Sequence, residues 1–115
     1  MANAWEIPGG QFSLDAAAVL TFRRFIKVNT EGKAAYATQA SDPIVGVSYT
    51  EAPIANAPIS IVGSGIAMVE ASEDITAGDF VAPTTDGKAA ASKNATAFIA
   101  LTGADADNLI TVKIG

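Results

Sequence analysis

Residues 29 to 38 read NTEGKAAYAT, and residues 84 to 93 read TTDGKAAASK. One phrase thus stands twice in a chain of 115 residues, and the register between the copies is about 55 residues. In that register Thr30-Glu31-Gly32-Lys33-Ala34-Ala35 falls on Thr85-Asp86-Gly87-Lys88-Ala89-Ala90. Outward from the phrase, Leu20-Thr21 falls on Ile75-Thr76, Phe25-Ile26 on Phe80-Val81, Ala40 on Ala95 and Ile44 on Ile99. The matches cluster, and the changes between them conserve character, so the chain reads as an internal duplication of about residues 19 to 50 and 74 to 105. Two copies are too few for a solenoid, whose repeats need stacked neighbours, and imply one body built from related halves.

Each copy has the form of a β-hairpin. Glu31-Gly32 and Asp86-Gly87 supply turns whose glycine accepts positive φ without a Cβ clash, and the flanking FIKVNT and KAAYAT are alternating or β-branched. Gly78, in ITAGD, reads as a further turn glycine. Other short extended segments follow: PIVGVSYT, APISIVGSG, IAMVEAS and NLITVKIG, each bounded by Pro, Gly, Asn or Asp. SLDAAAVLTF and SEDITAGD each offer a serine that would cap a helical turn, but their alignment with one another makes them loops entering equivalent strands. The expected fold is all-β, a small β-barrel or jelly-roll-like β-sandwich of two related halves. Residues 1 to 14 read as an extended N-terminal arm and 15 to 115 as a single β domain.

The arm carries the only tryptophan and a Pro-Gly-Gly breaker, without clear periodicity. Trp5, Ile7 and Phe12 are costly to leave in water, each contributing roughly 1.5–3 kcal/mol when fully buried. Two readings stay open: an arm folded over its own body, or one docked on a neighbour. NLITVKIG reads as an edge strand that pairs within the chain or extends a neighbour's sheet.

Composition excludes most chemistry. Cysteine and histidine are both absent, which removes thiolate nucleophiles, Ser or Cys triads and the common zinc and iron ligand sets. The net charge of −5 has the wrong sign for a phosphate backbone, so nucleic acid is not an expected partner. No apolar run approaches the roughly 18–20 residues of a membrane span, and MANAWEIPGG lacks the basic and apolar regions of a signal peptide, which implies synthesis in the cytoplasm. The carboxylate pairs Glu73-Asp74 and Asp105-Asp107 sit in no arrangement that splits their pKa values. DADN, residues 105 to 108, lacks the glycine and distal glutamate of a calcium loop, and GSG, residues 63 to 65, lacks the lysine of a phosphate cradle. No catalytic residue, cofactor or metal is expected. Arg23-Arg24 interrupts the run LTFRRFIKV and reads either as a charge partner for another surface or as a solvated edge pair.

A carrier domain is the alternative reading, because TTDGKAAAS is similar to the lipoyl or biotinyl pattern in which one lysine, here Lys88, is displayed at a hairpin tip. In this chain a glycine separates Asp86 from Lys88, and Gly-Lys recurs at Lys33. The cadence LTFRRFIKVNTEGKAAYAT…DPIVGVSYTEA, followed by ISIVGSGIAMVEASEDITAGDFVAPTTDGKAAAS, resembles the cement or decoration proteins of tailed-bacteriophage capsids. The matching phrases are Ile75 to Val81, Ile44 to Val47 and Val62 to Val69; the first copy departs at Phe22-Arg23-Arg24, where the second has Ala77-Gly78-Asp79. The resemblance implies a non-enzymatic structural protein on the outer capsid surface of the virion. Its implied partner is the major capsid protein, whose neighbouring subunits it would cement as a homo-oligomer, dimer or trimer. Trp5, Ile7 and Phe12, with Arg23 and Arg24 as charge partners, are the expected contacts.

Overall fold

A computed structural model describes residues 4–92 and 98–114. Lys93 and Ala95, part of the repeat alignment, lie outside the described residues. The fold is all-β, and among the described residues eleven strands form two sheets. Strands β1 (Ile7–Pro8), β2 (Gln11–Asp15), β3 (Phe25–Val28), β4 (Ala34–Tyr36), β5 (Ile44–Ser48) and β6 (Pro58–Val62) precede the centre of the chain. Strands β7 (Gly65–Glu70), β8 (Phe80–Pro83), β9 (Ala89–Ala91), β10 (Phe98–Ala100) and β11 (Leu109–Lys113) follow it.

The first sheet runs β2-β6-β5-β3-β4 and the second β1-β7-β11-β10-β8-β9. Without β1, the second order is the first order again, strand for strand. Each half therefore makes a whole sheet, and the repeated phrase is the β3–β4 hairpin of one and the β8–β9 hairpin of the other. Gly32 (φ 77°) and Gly87 (φ 74°) turn these hairpins in the left-handed region where a Cβ is strained. In each set of five equivalent strands the outermost two, β2 and β4 or β7 and β9, meet at one end through an equivalent parallel bridge, Ala16 to Ala34 and Ala71 to Ala89, so the sheet curls towards a barrel.

The repeated Gly-Lys also has an architectural role. Lys33 Nζ donates to Asn56 Oδ1 at 2.7 Å, and Lys88 Nζ donates to Asp107 Oδ1 at 3.2 Å. Asn56 (φ 69°) and Asp107 (φ 68°) hold the same left-handed turn, which their short polar side chains tolerate. Each lysine thus ties its hairpin to the loop ahead of the sheet's last strand. Lys88 also meets Glu70 Oε2 at 3.0 Å, and these partners raise its pKa and hold the ammonium charged. It is a structural tie rather than the freely displayed hairpin-tip lysine of a carrier domain.

The first sheet encloses Ala16, Leu20, Ile26, Ala34, Ala52, Ile59 and Ile61. At the corresponding positions the second encloses Ala71, Ile75, Val81, Ala89, Ala104, Ile110 and Val112. The halves join because the opposite face of the first sheet, with Phe25, Val47 and Val62, packs into the second core. There the Phe25 and Phe98 rings stand 5.0 Å apart and tilted by 35°. NLITVKIG, expected at an edge, is instead interior: β11 lies between β7 and β10. Its residues Ile110, Thr111 and Val112 are buried on both faces, which periodicity alone does not distinguish from a one-sided strand.

One acidic group links this fold to pH. Asp42 accepts from the Thr38 amide at 2.9 Å and Gln39 Nε2 at 3.2 Å, with Lys27 Nζ at 3.8 Å. The Thr38 amide, chiefly, lowers its pKa below the ordinary 3.8. A depressed carboxylate stabilises fully above its unfolded pKa, and that contribution is lost as pH falls through the folded value. Acid unfolding of Asp42→Asn should accordingly show a shallower loss of stability below about pH 4 than the parent, read by urea midpoints across pH.

Candidate docking surface

The N-terminal segment is bound to its own body. Ile7–Pro8 pairs with β7 at the edge of the second sheet, and Gln11–Asp15 pairs with β6 at the edge of the first. One short segment thus edges both sheets. Pro8-Gly9-Gly10 crosses Gly63-Ser64-Gly65 at backbone contact distance. The Gly9 amide donates to Ser64 O at 3.0 Å and the Gly10 amide to Ser64 Oγ at 2.8 Å. A Cβ on Gly65 would stand 2.6 Å from Gly9 N, which accounts for glycine in both motifs. The GSG run is this crossing between sheets.

Further towards the N-terminus, the Trp5 amide donates to Thr111 Oγ1 at 2.7 Å, and the same hydroxyl donates to Trp5 O at 2.8 Å. Glu6 pairs with the Arg23 guanidinium. The backbone is fastened while the apolar side chains point out: Trp5 is 42% exposed, Ile7 62% and Phe12 40%. The segment spends its polar groups on the body and leaves its apolar ones exposed.

Arg23 holds a left-handed conformation (φ 64°) where the second half has Gly78 (φ 93°). The turn is otherwise the same, since the Arg23 amide donates to Ser48 O and the Gly78 amide to Ala100 O, both at 2.7 Å. The guanidinium lies 5.3 Å from the Tyr49 ring centroid and 5.7 Å from that of Phe22, besides its pair with Glu6. Arginine is thus tolerated at a glycine position because its side chain fastens the arm. Arg24 joins the halves, with Nη2 3.4 Å from Glu70 Oε1, Nη1 3.1 Å from Asp86 O and its guanidinium over the Tyr36 ring. Both arginines of the expected contact set are engaged within the chain.

Two variants separate strain from tether at Arg23. Arg23→Gly should be more stable than Arg23→Ala by about 1 kcal/mol, because only glycine escapes the left-handed cost. Both should speed hydrogen exchange at the Trp5 and Gly9 amides, since both lose Glu6. Equal stability of the two variants would contradict the strain at this turn.

The remaining polar motifs are loop ties. Asp74 Oδ1 accepts from the Ala106 amide at 3.0 Å and Asp107 takes Lys88, while Asp74 and Asp105, one from each acidic pair, line an open pocket with Ile75, Thr76, Leu101 and Gly103. Among the described residues no cluster of three His, Cys, Asp or Glu side chains could hold a metal ion.

The surface also exposes residues not singled out from sequence. Phe80 (42%), Ile99 (37%), Leu101 (38%) and Leu109 (38%) stand out on the second half, and Val19, Phe22 and Ile54 on the first. The one signal for Phe80 was its alignment with Phe25, and a residue shared by two halves does not disclose which copy is covered.

Fold and surface together define a duplicated all-β body with a fastened, apolar N-terminal segment. No family model matches the chain, and no curated protein matches it. Among solved structures it is similar in fold to the N base of head fiber gp8.5 of bacteriophage phi29, with a TM-score of 0.78. The likeness covers 92% of this chain and 93% of that one at 18% identity.

Proposed function

We propose that this chain is a non-enzymatic structural protein of a tailed-phage head, which binds the outer surface of the capsid and cements neighbouring major capsid protein subunits. The observation that carries the reading is the arm: backbone fastened to the body, with Trp5, Ile7 and Phe12 presented outward. The likeness in fold to a phage head fiber base supports a head-associated role. Many modest contacts suffice for such a protein, because on a shell each further contact is effectively intramolecular. Binding the assembled shell and not its parts stabilises the shell by mass action. Arg23 and Arg24 serve this reading by holding the contact segment and joining the halves.

Trp5→Ala and Phe12→Ala should fold as the parent does yet bind emptied heads at least tenfold more weakly, a loss of about 1.4 kcal/mol or more that is within reach of an aromatic anchor. Co-sedimentation with heads, read as protein per coat subunit across concentration, checks this. Unchanged occupancy for both variants would remove the arm from the interface.

A further inference from the structure

The two halves share a backbone where their loops meet and differ in what fills the space beside it. Leu20 and Ala52 bond each other through both amides, at 3.0 and 2.8 Å, and Ile75 and Ala104 do the same at 2.9 and 3.0 Å. The Tyr49 amide donates to Ser60 O and the Ser60 amide to Thr50 Oγ1; likewise the Leu101 amide donates to Thr111 O and the Thr111 amide to Thr102 Oγ1. Outward from these ties, Val19, Phe22, Arg23, Tyr49 and Pro53 correspond to Asp74, Ala77, Gly78, Leu101 and Asp105.

In the first half the space is filled from within. The Arg23 guanidinium lies over the Tyr49 and Phe22 rings, 5.3 and 5.7 Å from their centroids, and pairs with Glu6. In the second half Ala77 and Leu101 stand in place of the two rings, and Gly78 supplies no side chain, with nothing within 4 Å of where its Cβ would stand. An open cleft of about 380 Å³ lies there, with Asp74, Ile75, Ala77, Leu101, Gly103 and Asp105 in its lining.

Charge changes together with shape. The first-half loops carry Ala17-Ala18-Val19 and Pro53-Ile54-Ala55, and the second-half loops carry Ser72-Glu73-Asp74 and Asp105-Ala106-Asp107. Asp74 uses Oδ1 on the Ala106 amide, and Asp107 takes Lys88. Asp74 Oδ2 and the Asp105 carboxylate have no hydrogen-bond or ion-pair partner among the described residues.

We propose that this cleft receives an arginine side chain of a partner protein, in the place that the chain's own Arg23 fills in the first half. The occupant follows from the two differences taken together. Where two rings and a guanidinium are missing, Ile75, Ala77 and Leu101 leave an apolar floor for the methylene stem and flat face of an arginine, and the carboxylates at the rim accept its N–H fork. A lysine ammonium is a compact, strongly hydrated charge that gains little from such a floor. An aromatic side chain would use the floor and leave both carboxylates idle. The proposal goes beyond attachment to a shell and uses none of the arm's contact residues; under the shell reading the arginine is one of the coat protein's.

The test needs no capsid, so its failure is distinct from a failure of the shell reading. Titration of the full chain with N-acetyl-arginine amide, followed by amide NMR, should move the Ala77, Gly103 and Ala104 signals along saturable curves. N-acetyl-lysine amide at equal concentration and ionic strength should move them several-fold less. Asp105→Asn should weaken the arginine affinity by about threefold or more with unchanged far-UV circular dichroism. Gly78→Arg, which gives the second half the residue that the first carries at the same turn, should fill the cleft from within and abolish the response. Shifts that stay linear with concentration, an equal response to the lysine probe, an unchanged affinity in Asp105→Asn, or saturable curves left intact in Gly78→Arg would each overturn the proposal. Should Gly78→Arg fail to fold, the other three comparisons decide.

Discussion

Phe25→Ala is expected to cost about 3–5 kcal/mol, while Phe80→Ala, the same position of the other half, costs about 1 kcal/mol or less in the single chain. The two residues align in the repeat, enter equivalent strands and pair with equivalent neighbours, Val47 and Ile99. What differs is cover. Phe25 is 0% exposed and stacks on Phe98 across the joint between halves, so truncation removes both its transfer free energy and the contacts of a ring-sized space. The surrounding β-ladders hold that space open, because both sheets would have to shift to fill it. Phe80, at 42% exposed, leaves no enclosed space. Urea unfolding of the two variants at low protein concentration gives the comparison. A Phe25 variant as stable as the Phe80 variant would mean that the halves do not join through this face.

Gly46→Ala is the second large effect, with about 3 kcal/mol or more expected from a backbone conformation and a contact that both exclude a side chain. Gly46 has φ 153°, and a Cβ built there would stand 2.1 Å from Val62 O and 2.8 Å from Ile61 Cγ2. Neither neighbour can yield cheaply. Val62 and Ile61 are 0–1% exposed on β6, which is held between β2 and β5. The corresponding position in the second sheet is Phe98, opposite Val81 as Gly46 is opposite Ile26, and it supplies the ring against Phe25. Thermal unfolding of Gly46→Ala should show a transition lowered by roughly 10 °C or more, or no cooperative transition. A parent-like transition would contradict the close approach of β5 to β6.

Sequence and structure meet most closely at the turns. Glu31-Gly32 and Asp86-Gly87 disclosed two hairpins because positive φ narrows the choice of residue so sharply. The strand order was hidden, because a segment such as Ile110 to Val112, buried on both faces, carries no alternation that places it within a sheet. Arg23 disguised a turn that Gly78 announces. The positive φ is carried by a residue that ordinarily avoids it, and only alignment of the halves brings it to notice. In the arm, Trp5, Ile7 and Phe12 stood out by type, but its fastening is made by backbone amides, a threonine hydroxyl and two glycine crossings, which leave little trace in residue chemistry. Phe80, Ile99, Leu101 and Leu109 were missed because an apolar strand face reads the same in sequence whether it is covered or exposed.

The account rests on attachment to a shell, and the most direct measurement is saturation binding of the full chain to emptied, mature phage heads, followed by particle survival on heating. The expected result is saturation at a fixed ratio to the major capsid protein, with decorated heads surviving temperatures that open bare ones. No binding at any salt concentration, or binding without a fixed ratio and without added survival, would contradict it.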